Sequence, residues 1–528
     1  MQLSNALIET AVGEQRKVGA TALHFLAAPL ILLTPFSSFI GYNGYSGLSP
    51  EIALVVGMLV VVGLICGFVM LVGGWPTRAL VLASLITLFI DFQFDWFKDF
   101  GKLTVMAAFG PVFLFSYVLR EHIIRIVSTV FGTMFLLTLV LPAGRAGSDR
   151  VPQRMSGDPS LPRIAHLILD AQIGIEGIPT DVEHGEQTKA DLKRFYEEHG
   201  FRLFGRAYSH YLRSYNSISN LLNFSSANND GLFVTEREPY LLKRNEYFRR
   251  LGEAGYALHI YQLDFMDFCR GNEQYVASCD TYAATDLGWL EDEPRIPLLV
   301  KVRLILATYV RRSYLLNRGI VQEHARIGLI PVMPVFDAIA RDTATSAPGD
   351  MFFAHLGTPH TPYVYRSDCS LKPPEDWEDR MDVPPLPQNT LETRARRYPA
   401  YLEQVRCTAK KLSALFELWN ERGFFEDMII IIHGDHGSKI FLNYLGAENY
   451  ERAPAQDFVD AFSILFAVKT PELAPGYDLR IESAENLLRE AIFAEGSKEI
   501  DREPYVFLYA GKGKPMLKHP LVELGSAP

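Results

Sequence analysis

The sequence has little cysteine and no surplus of positive charge. Five cysteines in 528 residues are too few for a disulfide scaffold. Lys and Arg number 51 against 61 Asp and Glu, a net charge of -10. That balance argues against a general nucleic-acid binder, and no nucleic-acid partner is expected. No internal repeat is visible. No apolar run has the short core and cleavage site of a signal peptide, so no removal of the N-terminal segment is expected. What the chain does have is apolar residue, 48% of the total, concentrated toward its start.

The first ~145 residues read as membrane, because about 20 apolar residues span a bilayer. The expected spans are Thr21–Ile40, Ile52–Val72, Ala79–Phe94, Leu103–Leu119 and Ile123–Leu141. Asp91 and Asp95 interrupt the end of the third. Arg16, Lys17, Arg78, Arg120 and Arg125 fall on one side if the N-terminus is cytoplasmic, with Lys98 and Lys102 as exceptions. The loop Gly41–Glu51 holds no Lys or Arg, as an outside loop should. A multi-pass protein of the cytoplasmic (inner) membrane is expected, with its C-terminal part extracytoplasmic.

The expected domains are a transmembrane helical domain over 1–145, a linker over 146–161 and an α/β domain over 162–528. The linker is inferred from the Gly, Pro, Ser and Arg of Pro142–Leu161. Beyond it, short apolar strands alternate with helical stretches. Strands are expected at Ile164–Leu169, Ala257–Leu263, Met351–Leu356, Met428–His433, Phe462–Val468 and Tyr505–Tyr509. Helices are expected at Lys189–His199, Glu238–Ala254, Pro297–Leu316 and Tyr398–Arg422. Such interleaving predicts an α/β fold with a mainly parallel central sheet. Pro373–Pro387 reads as a surface loop. Cys269 and Cys279 are close in sequence; they can form a disulfide in an oxidising compartment or remain two thiols.

Polar groups gather where apolar strands end. In open α/β sheets ligands sit beyond the carboxyl ends of strands. Asp427–Gly437 carries four isoleucines and then Asp435 and His436, one oxygen and one nitrogen for a metal such as zinc or manganese. Asp170 ends the strand Ile164–Leu169; it suits a metal and equally a helix cap. The stretch Ala207–Phe224 is dense in hydroxyls and runs into a helix-like segment. A Ser at a helix start lies in the positive end of the helix dipole, although capping alone also explains it. His360 stands between two prolines in Thr358-Pro-His-Thr-Pro362, a rigid placement for an imidazole that binds an anion or protonates a leaving group. His355 reads as a packing or bonding residue within its strand.

In this order the stretches resemble the alkaline phosphatase superfamily, specifically its membrane-anchored sulfatase-like branch, which includes phosphoethanolamine transferases and lipoteichoic acid synthases. The similarity covers most of Ile164–Val468 together with the five-span anchor. It implies one divalent metal ion, zinc or manganese, bound by Asp170, a nucleophilic hydroxyl, Asp435 and His436. Ser217-Ile218-Ser219 matches a family position three residues after the nucleophile, with Ser in place of Pro, so Ser214 falls on the nucleophile and Ser217 is the fallback. His360 matches the His that contacts the transferred group. Two sulfatase features are missing. Arg213-Ser214-Tyr215-Asn216-Ser217 lacks the Cys/Ser-x-Pro-x-Arg signature for formylglycine, and Asp170 is followed by Ala171 instead of a second acid. A second substrate-binding His has no counterpart after Tyr363.

The resemblance implies transfer of a phospholipid-derived head group, phosphoethanolamine or phosphoglycerol, to a surface glycan or lipid through a covalent Ser intermediate. The same parts could instead hydrolyse a phosphate or sulfate ester. A non-catalytic glycan-binding surface protein is the reading of a different class.

Overall fold

The structure is a computed structural model that describes residues 2–94, 97, 102–140, 156–225, 231–233, 240–282, 287–291, 293–294, 296–316, 332–373, 376–377, 389–495, 503–511 and 515–521. The chain forms two compact units, Met1–Ala146 with Thr285–Ile327, and Gly147–Ala284 with Gly328–Pro528.

The first unit contains the helices Gln2–Tyr42, Pro50–Val72, Trp75–Gln93, Lys102–Leu119 and Glu121–Val140. Among the described residues four stretches are long and apolar enough to cross a membrane: Ala22–Tyr42, Pro50–Val72, Trp75–Gln93 and His122–Val140. Leu103–Leu119 is apolar but shorter. Ala27, Ala28 and Ile31 pack with Met70, Leu82, Phe89, Ile124 and Phe131. Gly63 allows close approach of two helices, because a Cβ there would come within 2.6 Å of the Pro29 backbone nitrogen. By contrast, Leu54, Met58, Ile65, Phe68 and Val72 on Pro50–Val72 point outward and remain exposed, as lipid-facing residues do.

The segment Thr285–Ile327 was expected in the α/β domain and instead groups with the N-terminal helices. Two contacts account for this. Tyr309 of the helix Leu298–Arg311 stacks on Phe92 at 4.3 Å between ring centroids. Asp91, the acid that interrupts the third apolar run, is buried and accepts hydrogen bonds from the Ser313 hydroxyl and from the backbone N–H groups of Tyr314 (3.1 Å) and Leu315 (3.0 Å). The acid therefore caps a following turn.

The second unit is built on strands β1 (Ile164–Leu169), β2 (Arg202–Tyr208), β3 (Leu232–Phe233), β4 (Tyr240–Leu242), β5 (Ala257–Leu263), β6 (Met266–Asp267), β7 (Val276–Tyr282), β8 (Asp350–Leu356), β9 (Ile429–Gly434), β10 (Phe466–Lys469), β11 (Gly476–Ser483), β12 (Tyr505–Leu508) and β13 (Leu517–Pro520). Eight form one sheet in the order β11-β2-β10-β9-β1-β8-β5-β7. Neighbours run parallel except β10, which is antiparallel to both β2 and β9. The fold is α/β with a mainly parallel sheet, as the alternating pattern predicts. β1 lies between β8 and β9, and Leu169 pairs with both Leu356 and Gly434. Three strands thus end at one level, which is what brings Asp170 and Asp435 together.

Several element expectations need correction. Glu238–Ala254 is not one helix: the chain forms β4 first, and only Glu246–Glu253 is helical, capped by the Asn245 side chain on the Phe248 N–H at 2.9 Å. Phe462 ends the helix Ala455–Phe462, and the strand begins later, at Phe466. The long helix spans Leu391–Glu421 and starts at a Thr390 capping box. Residues 141–155, most of the expected linker, lie outside the described residues, as do 374–375 and 378–387 of the Pro373–Pro387 loop. Cys269 and Cys279 form a disulfide, and so do Cys369 and Cys407; Cys66 is the free cysteine.

Candidate metal centre

Two left-handed non-glycine residues sit next to the proposed ligands. Ala171 has φ 65° and Lys439 has φ 58°, a backbone region that costs energy for residues with a Cβ and recurs at functional sites. Ala171 turns its N–H onto Asp435 Oδ1 at 2.9 Å, and the His436 N–H donates to the same oxygen at 2.9 Å. That leaves Asp435 Oδ2 buried without a hydrogen-bond donor. The backbone N–H of Asp170 is held by the Leu356 carbonyl at 2.9 Å, while its Oδ1 is likewise buried without a donor.

His436 completes the convergence. Its Nδ1–H donates to the Gly437 carbonyl at 2.9 Å, so in the neutral ring Nε2 carries the lone pair. Nε2 lies 3.4 Å from Asp170 Oδ1, 3.3 Å from Asp435 Oδ2 and 3.2 Å from Ser214 Oγ. One ligand atom from each of Asp170, Asp435 and His436 lies within 4.8 Å of the others. Buried acceptors aimed at one another repel unless a cation is shared among them. Two carboxylate oxygens, an imidazole nitrogen and a hydroxyl suit zinc or manganese, and the residues present fit such an ion.

The hydroxyls differ in what they are free to do. Ser214 begins the helix Ser214–Asn223, after an Arg213 N-cap that makes no side-chain cap bond. Ser217, one turn on, donates to the Asp435 carbonyl at 2.5 Å and shares a 2.7 Å hydrogen bond with Ser209 Oγ. Ser217 therefore braces the loop that carries Asp435, whereas Ser214 faces the ligand cluster.

Histidines surround Asp170. Burial works against its charge, yet His360, His355 and His436 together hold its carboxyl well below the usual range. His355 Nε2 lies 3.5 Å from Asp170 Oδ2, with both ring nitrogens otherwise without hydrogen bonds. Its expected role within the strand misses this approach. The signal lay in register: His355 pairs with Ile168 in the parallel strand beside Asp170. The His360 ring lies 6.4 Å from that of His436 between centroids, and its Nδ1–H donates to the Thr361 carbonyl at 2.5 Å. Burial lowers its proton affinity, with Asp170 opposing. Behind the site His166 and His433 share a 2.8 Å hydrogen bond across β1 and β9; burial drops His433 to about 4, so the pair is a neutral part of the core.

No family model matches the sequence, and no curated protein matches it. Among solved structures the chain is similar to a phosphonate monoester hydrolase of Agrobacterium radiobacter, at 13% identity over 66% of this chain and 80% of that one, with a TM-score of 0.41. The C-terminal periplasmic domain of EcEptC from Escherichia coli, in complex with zinc, matches at 11% identity over 72% and 97%, with a TM-score of 0.40. The lipoteichoic acid synthase LtaP from Listeria monocytogenes matches at 13% identity over 68% and 77%, with a TM-score of 0.35. The solved structures to which the chain is similar also include a Vibrio parahaemolyticus protein described as belonging to the alkaline phosphatase superfamily.

Proposed function

We propose that this chain is a metal-dependent membrane enzyme that transfers a phospholipid-derived phospho-head group, phosphoethanolamine or phosphoglycerol, to a surface glycan or lipid through Ser214. The observation that carries the reading is that Asp170 Oδ1, Asp435 Oδ2 and Ser214 Oγ each lie within 3.4 Å of His436 Nε2. A divalent cation held there would lower the pKa of the serine hydroxyl and offset charge on the phosphoryl oxygens.

The chain's own residues supply the rest. The helix start presents Ser214 Oγ in the positive end of the helix dipole. As the Oγ–P bond forms, the Ser214 proton leaves and the P–O ester bond of the donor breaks, with the departing alcohol taking up a proton. His360 is the side chain poised to contact the transferred group. An acceptor hydroxyl then attacks the same phosphorus and frees Ser214. The apolar helices of the first unit fit a lipid donor, and the two disulfides fit an extracytoplasmic domain at the inner membrane.

The test follows labelled phosphatidylethanolamine and phosphatidylglycerol vesicles with the detergent-solubilised full chain and zinc or manganese. Transfer predicts diacylglycerol released together with a head group on a glycan or lipid acceptor. Head group released only as free phosphate ester would select hydrolysis. No turnover with any metal and lipid would leave the glycan-binding reading.

A further inference from the structure

A second concave site lies in the α/β unit. A cavity of about 570 Å³ is lined by the loop after β1, the middle of β2, and the starts of the helices Leu391–Glu421 and Ala455–Phe462. Its volume falls within the roughly 300–1,000 Å³ of small-molecule sites. Asp170, Ser214, His360, Asp435 and His436 are not among its lining residues, and no step of the proposed transfer uses it. Two arginines line it, Arg206 from β2 and Arg394 from the helix Leu391–Glu421. Among the described residues neither guanidinium makes a hydrogen bond. Arg206 Nε is buried without a partner. Arg394 is 8% exposed, and its Nε lies 3.7 Å from Asp460 Oδ2 and its Nη1 4.0 Å from Asp181 Oδ2. Those are ion-pair distances, too long for hydrogen bonds. Buried N–H donors left unmet are costly, and arginines kept that way need an acceptor from elsewhere.

The carboxylates of the same cavity are occupied. Glu176 accepts from the Lys189 ammonium at 2.7 Å and from the Tyr477 hydroxyl. Asp457 accepts from the backbone N–H groups of Leu442 (2.7 Å) and Asn443 (2.9 Å) and from the Asn443 side-chain amide at 3.0 Å. The Asp181 side chain is 77% exposed, so water screens its pairing with Arg394. Asp460 does not itself line the cavity. The capacity left over is therefore that of donors, held as guanidinium forks that match the paired oxygens of a carboxylate or phosphate. Pro179, Leu391, Leu442 and Pro454 add an apolar wall for a carbon skeleton.

We infer that this cavity is a second ligand site, which takes an organic anion of sugar size with its oxyanion on Arg206 and Arg394 and its carbon skeleton against Pro179 and Leu391. The site shares no lining residue with the proposed metal centre, and it stands whether the metal centre transfers or hydrolyses. A carboxylate and a phosphate ester present the same paired oxygens, so the oxyanion is the shared chemistry.

The test titrates the zinc-loaded full chain in detergent with glucuronate, glucose 6-phosphate and glucose by calorimetry. It compares wild type, Arg206→Gln, Arg394→Gln and His436→Ala. Wild type should bind at least one of the two anions, and glucose about tenfold or more weakly than that anion. Each arginine variant should weaken the anion about tenfold or more at an unchanged melting temperature. His436→Ala, which disables the metal centre, should leave that affinity as it is. Where Arg394→Gln fails to fold, Arg206→Gln, at a half-buried strand position, decides alone. The tighter anion identifies the oxyanion as carboxylate or phosphate. Unchanged affinity in either folded arginine variant overturns the inference. Affinity lost in His436→Ala, or wild type that binds neither anion better than glucose, overturns it as well.

Discussion

Ser214 Oγ lies 3.2 Å from His436 Nε2, while Ser217, one helical turn away, is bound to the backbone carbonyl of Asp435. The two serines therefore separate chemically. Ser214→Ala is expected to lower turnover at least about a thousandfold with little change in stability. Ser217→Ala should act the other way round: it leaves a buried carbonyl without its donor, costs about 1–3 kcal/mol of stability and keeps the nucleophile. Turnover and thermal melting of the two variants check this. Equal loss of turnover in both contradicts it.

Metal content should follow the ligand set. Elemental analysis of the purified chain should find about one zinc or manganese ion per protein. Asp435→Asn and His436→Ala should bring that close to zero. His355→Ala, which removes only the imidazole beside Asp170, should retain the ion and weaken its affinity about 10–100-fold. Full metal content in His436→Ala would contradict the assignment.

Asp460 gives a pH dependence away from the ligands. Burial raises its carboxyl to about 7, against the opposing effects of Arg394 and of hydrogen bonds from Tyr398 and Gln456. The unfolded value is near 3.9, so between the two values the folded chain holds the additional proton. Stability from this group is complete below about pH 4 and is lost as pH rises through about 7. The melting temperature of wild type relative to Asp460→Asn should therefore fall between about pH 4 and 7 and level off above. A difference that stays flat over that range contradicts the assignment.

The disulfides should be unequal. The pairs are separated by 10 residues for Cys269–Cys279 and 38 for Cys369–Cys407. By loop entropy alone they contribute about 3 and about 4 kcal/mol. Cys369→Ser with Cys407→Ser should lower the melting temperature more than Cys269→Ser with Cys279→Ser. Alkylation under non-reducing denaturing conditions should label one cysteine, Cys66.

The strands that carry the site were legible because their chemistry is local. Ile164–Leu169 and Ile429–Gly434 are short apolar runs that end in an acid, and both strand and ending follow from sequence. What sequence could not supply is which runs lie side by side. His355 looked like a core residue until the register of β8 against β1 set it beside Asp170. The helix Leu298–Arg311 misled for a different reason: its alternation of apolar and basic residues suits a soluble domain as well as the flank of a helical bundle. Only the contacts of Tyr309 and Ser313 decide between them.

The most direct test of the central claim is intact-mass analysis of the full chain after incubation with zinc and phospholipid vesicles, followed by peptide mapping. The expected result is a phosphoethanolamine or phosphoglycerol adduct on Ser214 that is absent from Ser214→Ala. An adduct on Ser217, or turnover that continues in Ser214→Ala, would contradict it.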